Sequence, residues 1–315
     1  MPDPIFIALA ASLAGIVTAV VTALAALPWK APHHQRLSIG TLLGVASGFA
    51  VGCAVLKVKP DWPIVEDQDR LLGLILPAVL IVESIIAATK MPAWVTWGLR
   101  LIIACSVPRV LLHGTVYLES PSGDGGLSWS PAVRWTILAC LGASLCIAWG
   151  LLMRGNHRPS VRLVPLSLGL ACCGAGLTIM LSGYASGGQL GPILGGAVIG
   201  AVVASLLWAS TSHFDGALGF SYVGFFSLLM IGRYFGELTS VHAVLLFLAP
   251  LLSVLPLERW LPRLSSWAVV ATKVLLVLVP IGMVIGLAGQ NFVRNSQPPS
   301  ENQEGGAADY SDYGS

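Results

Sequence analysis

The residues of this sequence that could do chemistry are ionisable side chains set inside apolar runs. Glu83 lies about eight residues before the turn at Lys90, Met91 and Pro92, and Arg100 about eight after it. An antiparallel helical hairpin would bring both to one depth. Charges near a bilayer centre are unfavourable by roughly 2.5–3.5 kcal/mol on insertion scales, so each needs a partner or water. Glu83 and Arg100 are therefore expected to pair across the hairpin. The alternative is that Glu83 is a carboxylate that carries a proton or meets a substrate.

A second constellation starts at Arg109, which follows Pro108; His113 stands at i+4 and Tyr117 continues that face. The stripe is expected to reach the depth of Arg233, Glu237 and His242. These five ionisable residues, Arg109, His113, Arg233, Glu237 and His242, would line a water-accessible, net-basic pocket for a small polar or anionic solute. The competing arrangement is an Arg233–Glu237 pair at i, i+4, with Arg109 and the histidines reaching the interface or bonding to backbone. Lys273, about one turn into the last apolar run, is expected to snorkel.

Other chemistry is missing from the pattern. HExxH, GxxxxGK[ST] and G-x-S-x-G do not occur, which argues against a zinc protease, an ATP-driven pump and a serine nucleophile turn. The stretch Ser182 to Gly188 reads as a flexible Gly/Ser hinge. Cys53, Cys105, Cys140, Cys146, Cys172 and Cys173 all fall within apolar runs and form no CxxC pair, so they read as small helix residues. No metal site and no cofactor is implied, and the reading is of a protein that is not an enzyme.

The elements that must position these residues follow from composition. Of 315 residues, 55% are hydrophobic and 10% charged, and the mean hydropathy is +0.81. Soluble domains carry roughly 25% charged residues, so the fold class is all-α, a polytopic membrane protein whose first partner is the lipid bilayer. The formal charge is only +2, without a basic cluster, which excludes a nucleic-acid footprint. A bilayer core of about 30 Å needs about 20 apolar residues per helix. About ten such runs occur: 5–27, 38–56, 71–88, 95–116, 132–153, 163–182, 190–209, 218–238, 241–257 and 267–289. The eighth and ninth are barely separated and are interrupted by Arg233 and Glu237, which leaves counts of eight or nine open.

Short cytoplasmic loops collect Lys and Arg. Starting outside puts Lys30, Arg36, Lys90, Arg154, Arg158, Arg162, Arg259 and Arg263 inside, so both termini are expected outside a plasma (inner) membrane. The ten tryptophans all lie at or near run ends, as interfacial anchors would. Residues 1–289 read as one transmembrane domain and 290–315 as a disordered acidic tail.

Gly40, Gly44, Gly48 and Gly52 recur every four residues in the second run. Such a face lets another backbone approach closely, either within the chain or across a homodimer. Shorter glycine stripes include Gly282 with Gly286. The glycine-rich second and seventh runs suggest a faint inverted 5+5 repeat, a plan used by many secondary transporters. These features point to a transporter or permease-like protein for a small polar or anionic solute. A non-catalytic scaffold packing through glycine stripes is the alternative, and a lipid-modifying enzyme with an outer His-Glu-Arg cluster is a third reading.

Overall fold

A computed structural model describes residues 3–26, 33–64, 66–89, 91–119, 129–156, 162–207, 214–257 and 265–296. Every regular element among them is helical. In chain order the helices are α1 (Pro4–Ala26), α2 (His33–Val55), α3 (Asp67–Ala88), α4 (Ala93–Leu111), α5 (Pro131–Asn156), α6 (Leu163–Leu181), α7 (Leu190–Leu207), α8 (Asp215–Tyr234), α9 (Ser240–Leu248) and α10 (Ser266–Ser296). Nine of the described helices are long and apolar enough to cross a bilayer. The ninth in order, α9, is shorter and continues as a 3-10 segment, Ala249–Val254.

End contacts show that this short segment still traverses the layer. Helix α8 begins beside the end of α5, where Asn156 Nδ2 donates to Asp215 Oδ1 at 2.7 Å. It ends at Tyr234, and α9 starts six residues later at Ser240. Its 3-10 continuation then returns to the end of α5, since a Cβ on Gly155 would lie 2.8 Å from Val254. Tighter 3-10 winding rises about 2.0 Å per residue against 1.5 Å for α-helix, so fewer residues cover the distance. The chain therefore makes ten passes through the bundle. The first face holds the starts of α1, α3, α5, α7 and α9; the second face holds their ends.

Helix α8 is the axis of the molecule. Its four glycines, Gly216, Gly219, Gly224 and Gly232, let neighbouring helices close on it from several sides. Its apolar stretch is 94% buried, against 28% for α1, α3 and α10, and it packs on α2, α3, α4, α5, α6, α7 and α9.

The glycine stripe of α2 is filled by α1. A Cβ at Gly44 would sit 2.7 Å from Thr22 Oγ1, and one at Gly48 would strike Thr18 Oγ1 and the Ala14 carbonyl. Thr18 Oγ1 donates to the Gly44 carbonyl at 3.0 Å, closing the seam. Gly40 faces Ala25, and Gly52 faces Ile193 on α7 and the Ala10 carbonyl. The stripe is thus an intramolecular seam. Helix α7 runs parallel to α1, Gly196 against Ala11 and Gly200 against Gly15. Between the two halves, the α1–α2 and α6–α7 pairs correspond, and so do α4–α5 and α9–α10. The extensive α1–α7 contact has no counterpart of similar extent between α6 and α2.

Three local readings are revised. Helix α3 starts at Asp67, earlier than the apolar run at Leu71, because Asp67 and Asp69 are buried and bonded: Tyr184 Oη donates to Asp67, and the Asp61 N–H to Asp69. The Gly/Ser stretch is an ordered turn, with Gly183 at φ +85°, a helical turn Ala185–Gly188, and Gly188 packed on the Gly176 carbonyl. Helix α10 continues to Ser296, past Gly289, because Gln290, Asn291 and Arg294 are compatible with a helix that has left the apolar layer. The rest of the acidic tail lies outside the described residues.

Candidate functional site

Glu83 and Arg100 meet as the hairpin geometry requires. Arg100 Nε donates to Glu83 Oε1 at 2.8 Å and its Nη2 to Oε2 at 2.9 Å, a two-pronged pair with both side chains buried. The guanidinium lies 5.3 Å from the centre of the Trp97 ring and 5.4 Å from that of Trp149, so two π faces share its charge. From α8 comes Gly219: a Cβ there would lie 2.7 Å from Trp149 and 3.0 Å from the Glu83 carboxyl carbon. Only a residue without a side chain lets α8 close over the pair. Trp149 is fully buried, and its Nε1 has no partner among the described residues. It is not an interfacial anchor but the wall of this cluster, seven residues before the end of α5.

The five residues of the expected basic pocket are not brought together. Helix α4 stops at Leu111, and Gly114 turns the chain with φ +72°. The i, i+4 register from Arg109 to His113 and Tyr117 is broken by that turn. Arg109 lies over the Trp135 ring of α5 at 5.4 Å, exposed. The His113 carbonyl accepts from Arg70, which also donates to Leu111 O at 3.2 Å. Helix α8 likewise ends at Tyr234, so Glu237 leaves the face of Arg233; its N–H donates to Ser182 O at 3.3 Å. Arg233 Nε donates instead to Ser240 Oγ at 2.8 Å. His242 is half-buried in the first turn of α9, where Thr239 Oγ1 accepts its N–H. Lys273 is 2% exposed, so it does not snorkel.

Of the five, Arg233 lines a cavity. The space, about 590 Å³, lies between α5, α8 and α9. Ligand pockets run roughly 300–1,000 Å³. Helix α5 and the α9 segment meet at Gly155 and Val254 on the second face; toward the first face both line the cavity, with α8 completing it. Three rings, Tyr117, Trp129 and Tyr234, gather on it, with centres 5.0 to 5.9 Å apart. Leu141, Phe226, Met230 and Phe247 give it apolar walls, and Arg233, Ser144 and Ser240 supply the polar groups. Val244 and Leu248 are exposed, so the cavity reaches the side of the bundle.

Comparisons with protein-family models, curated proteins and solved structures return no match. A fixed cation beside aromatic and aliphatic walls suits an anion with an apolar body: the guanidinium binds the head, and the walls remove the body from water. Among the described residues no group of three His, Cys, Asp or Glu converges as a metal site would need.

Several of these residues carried little signal in sequence. Trp149 reads as one more end-of-run tryptophan, and Gly219 as one glycine among 35. Asp215 and Asn156 sit at run edges, where polar residues are ordinary. Tyr184 is invisible as a partner of Asp67, 117 positions away. Burial, and next the nearby Asp67 carboxylate, push its phenol up from the usual tyrosine range, so it is the proton donor in that bond.

Proposed function

We propose that this protein is a permease-like carrier of small anionic solutes with an apolar body, which bind in the cavity between α5, α8 and α9. The observation that carries the reading is that Arg233 stands in a cavity of about 590 Å³ whose other walls are aromatic and aliphatic. The positive-inside rule supports a cytoplasmic second face, with the cavity then opening toward the outer half of the plasma membrane. A non-catalytic role agrees with it. The ligand would exchange the Ser240 hydroxyl for its own oxyanion on Arg233, a stronger, charge-assisted bond.

The test uses protein in nanodiscs and radiolabelled octanesulfonate, an anion without a titratable proton. Saturable binding is expected, weakened at least tenfold by Arg233→Gln and largely kept by Arg233→Lys. Octanol and octyltrimethylammonium should compete poorly. Equal binding of all three amphiphiles, or none above empty nanodiscs, would show the reading to be wrong.

A scaffold role has one observation in its favour. A shallow groove of about 430 Å³ between α1 and α7 is lined by Ala11, Gly15, Ala19, Gly196 and Gly200, the kind of surface into which another helix packs.

A further inference from the structure

The same face of α8 that ends in Arg233 carries, at intervals of three, four and seven residues, Asp215, Gly219, Tyr222 and Phe226. Phe226 and Arg233 line the cavity. Tyr222 lies one turn further in, its ring 6.0 Å from that of Phe247, a cavity wall; its hydroxyl is buried and unpartnered among the described residues. Gly219 is next and touches Trp149 and Glu83. Asp215 ends the stripe at the second face, bonded to Asn156, whose Oδ1 is also without a partner. One helix face thus joins the cavity, the buried pair and the far side of the membrane. Along it three buried polar atoms, Tyr222 Oη, Trp149 Nε1 and Asn156 Oδ1, lack partners among the described residues. Buried polar groups of this kind are costly unless something bonds to them. On α5, Trp149 lies about 7.5 Å from Ser144, a cavity residue, at 1.5 Å per residue.

We propose that Arg100 is a second anion station on this path, occupied at rest by Glu83, and that an anion advancing from the cavity displaces the carboxylate, which takes up a proton. This rests on the binding reading above and extends it to coupling. Charge conservation is the physical reason. The resting pair is neutral, and bringing a bare anion to it would leave a net negative charge in a low-dielectric site. If Glu83 binds one proton as the anion takes over the guanidinium, the cluster stays neutral. The proton adds to a Glu83 carboxylate oxygen, the two Arg100–Glu83 hydrogen bonds are exchanged for Arg100–anion bonds, and no covalent bond of the solute changes. On return the proton leaves as the pair re-forms. Among elements packed on α3, the charged groups at this level are Arg100 on α4 and Asp215 on α8; α2 carries its charged residues only in its first turn. Asp215, half-buried one turn from Gly219 on the second face, is a carboxylate through which the proton could pass. Trp149, with α8 closed over it at Gly219, is the barrier between the cavity and that face.

The experiment is octanesulfonate binding to the full chain in nanodiscs, in weak buffer with a pH dye. Expected is uptake of up to one proton per anion bound, abolished by Glu83→Gln and kept by Glu83→Asp. A second measurement needs no variant: infrared difference spectra of the wild type should show the carbonyl stretch of a newly protonated carboxylic acid when the anion is added. Binding without proton uptake or without that band overturns the coupling proposal while leaving the cavity reading intact. Glu83→Gln protein that takes up the same proton as wild type overturns it too. Absence of octanesulfonate binding removes both readings together.

Discussion

At the residue scale the Glu83–Arg100 pair is held by geometry that tolerates little change. Both side chains are buried, the hydrogen bonds are two-pronged, and two indole faces flank the guanidinium. Removing one partner leaves the other charged and buried, which is costlier than removing both. Arg100→Met is expected to destabilise the protein by about 3–5 kcal/mol, and adding Glu83→Gln should restore most of that, as read from thermal unfolding in detergent. If the double variant is no more stable than Arg100→Met, the carboxylate was not the source of the penalty. Gly219→Ala addresses the same site from α8. Its Cβ would press on Trp149 and the Glu83 carboxyl, and overpacking of this kind costs about 1–3 kcal/mol. A thermal midpoint equal to that of wild type would mean that α8 has room to move. Tyr184→Phe deletes the hydroxyl that donates to Asp67 at 3.0 Å. A loss of about 1–3 kcal/mol is expected for a buried acceptor left short of its donor, again checked by the unfolding midpoint.

At the element scale, glycines of like spacing differ in consequence because their surroundings differ. Gly48 has the Ala14 backbone and Thr18 in its space, and the neighbour is rigid helix. Gly48→Val is therefore expected to pry α1 from α2 and lower the midpoint of thermal unfolding in detergent. Gly282 and Gly286 have nothing within 4 Å of where a Cβ would stand. Replacing both by Ala should leave stability unchanged or raise it slightly, since Ala is favoured over Gly in a helix by about 1 kcal/mol. Loss of stability there would show that a partner covers that face of α10. Helix ends matter equally. The stops at Leu111 and Tyr234 carry His113 and Glu237 off the faces that a continued helix would give them.

At the scale of the whole molecule, ten passes put the start of α1 and the end of α10 on one face. Reporter tags before Met1 and after Ser315 should be accessible from the same side of sealed vesicles, and a tag in the 235–239 turn from that side as well. Tags on opposite sides would reduce the passes to an odd number, with α9 returning on itself. Much of this architecture is legible in the chain alone, because the bilayer imposes a one-dimensional rule: every crossing needs a long apolar run, and the polar breaks between runs are visible as text. The Glu83–Arg100 contact is legible for a related reason, since the two residues flank a short turn and an antiparallel hairpin equates sequence distance with depth. The rest depends on rotation and neighbours, which hydropathy does not encode. Which helix fills the glycine stripe of α2, why Trp149 lies inside instead of at the interface, and why Arg233 lines a cavity apart from Arg109, His113, Glu237 and His242 were decided by packing around α8. Those contacts join residues far apart in sequence, and their facing is set by where each helix stops and what presses on it.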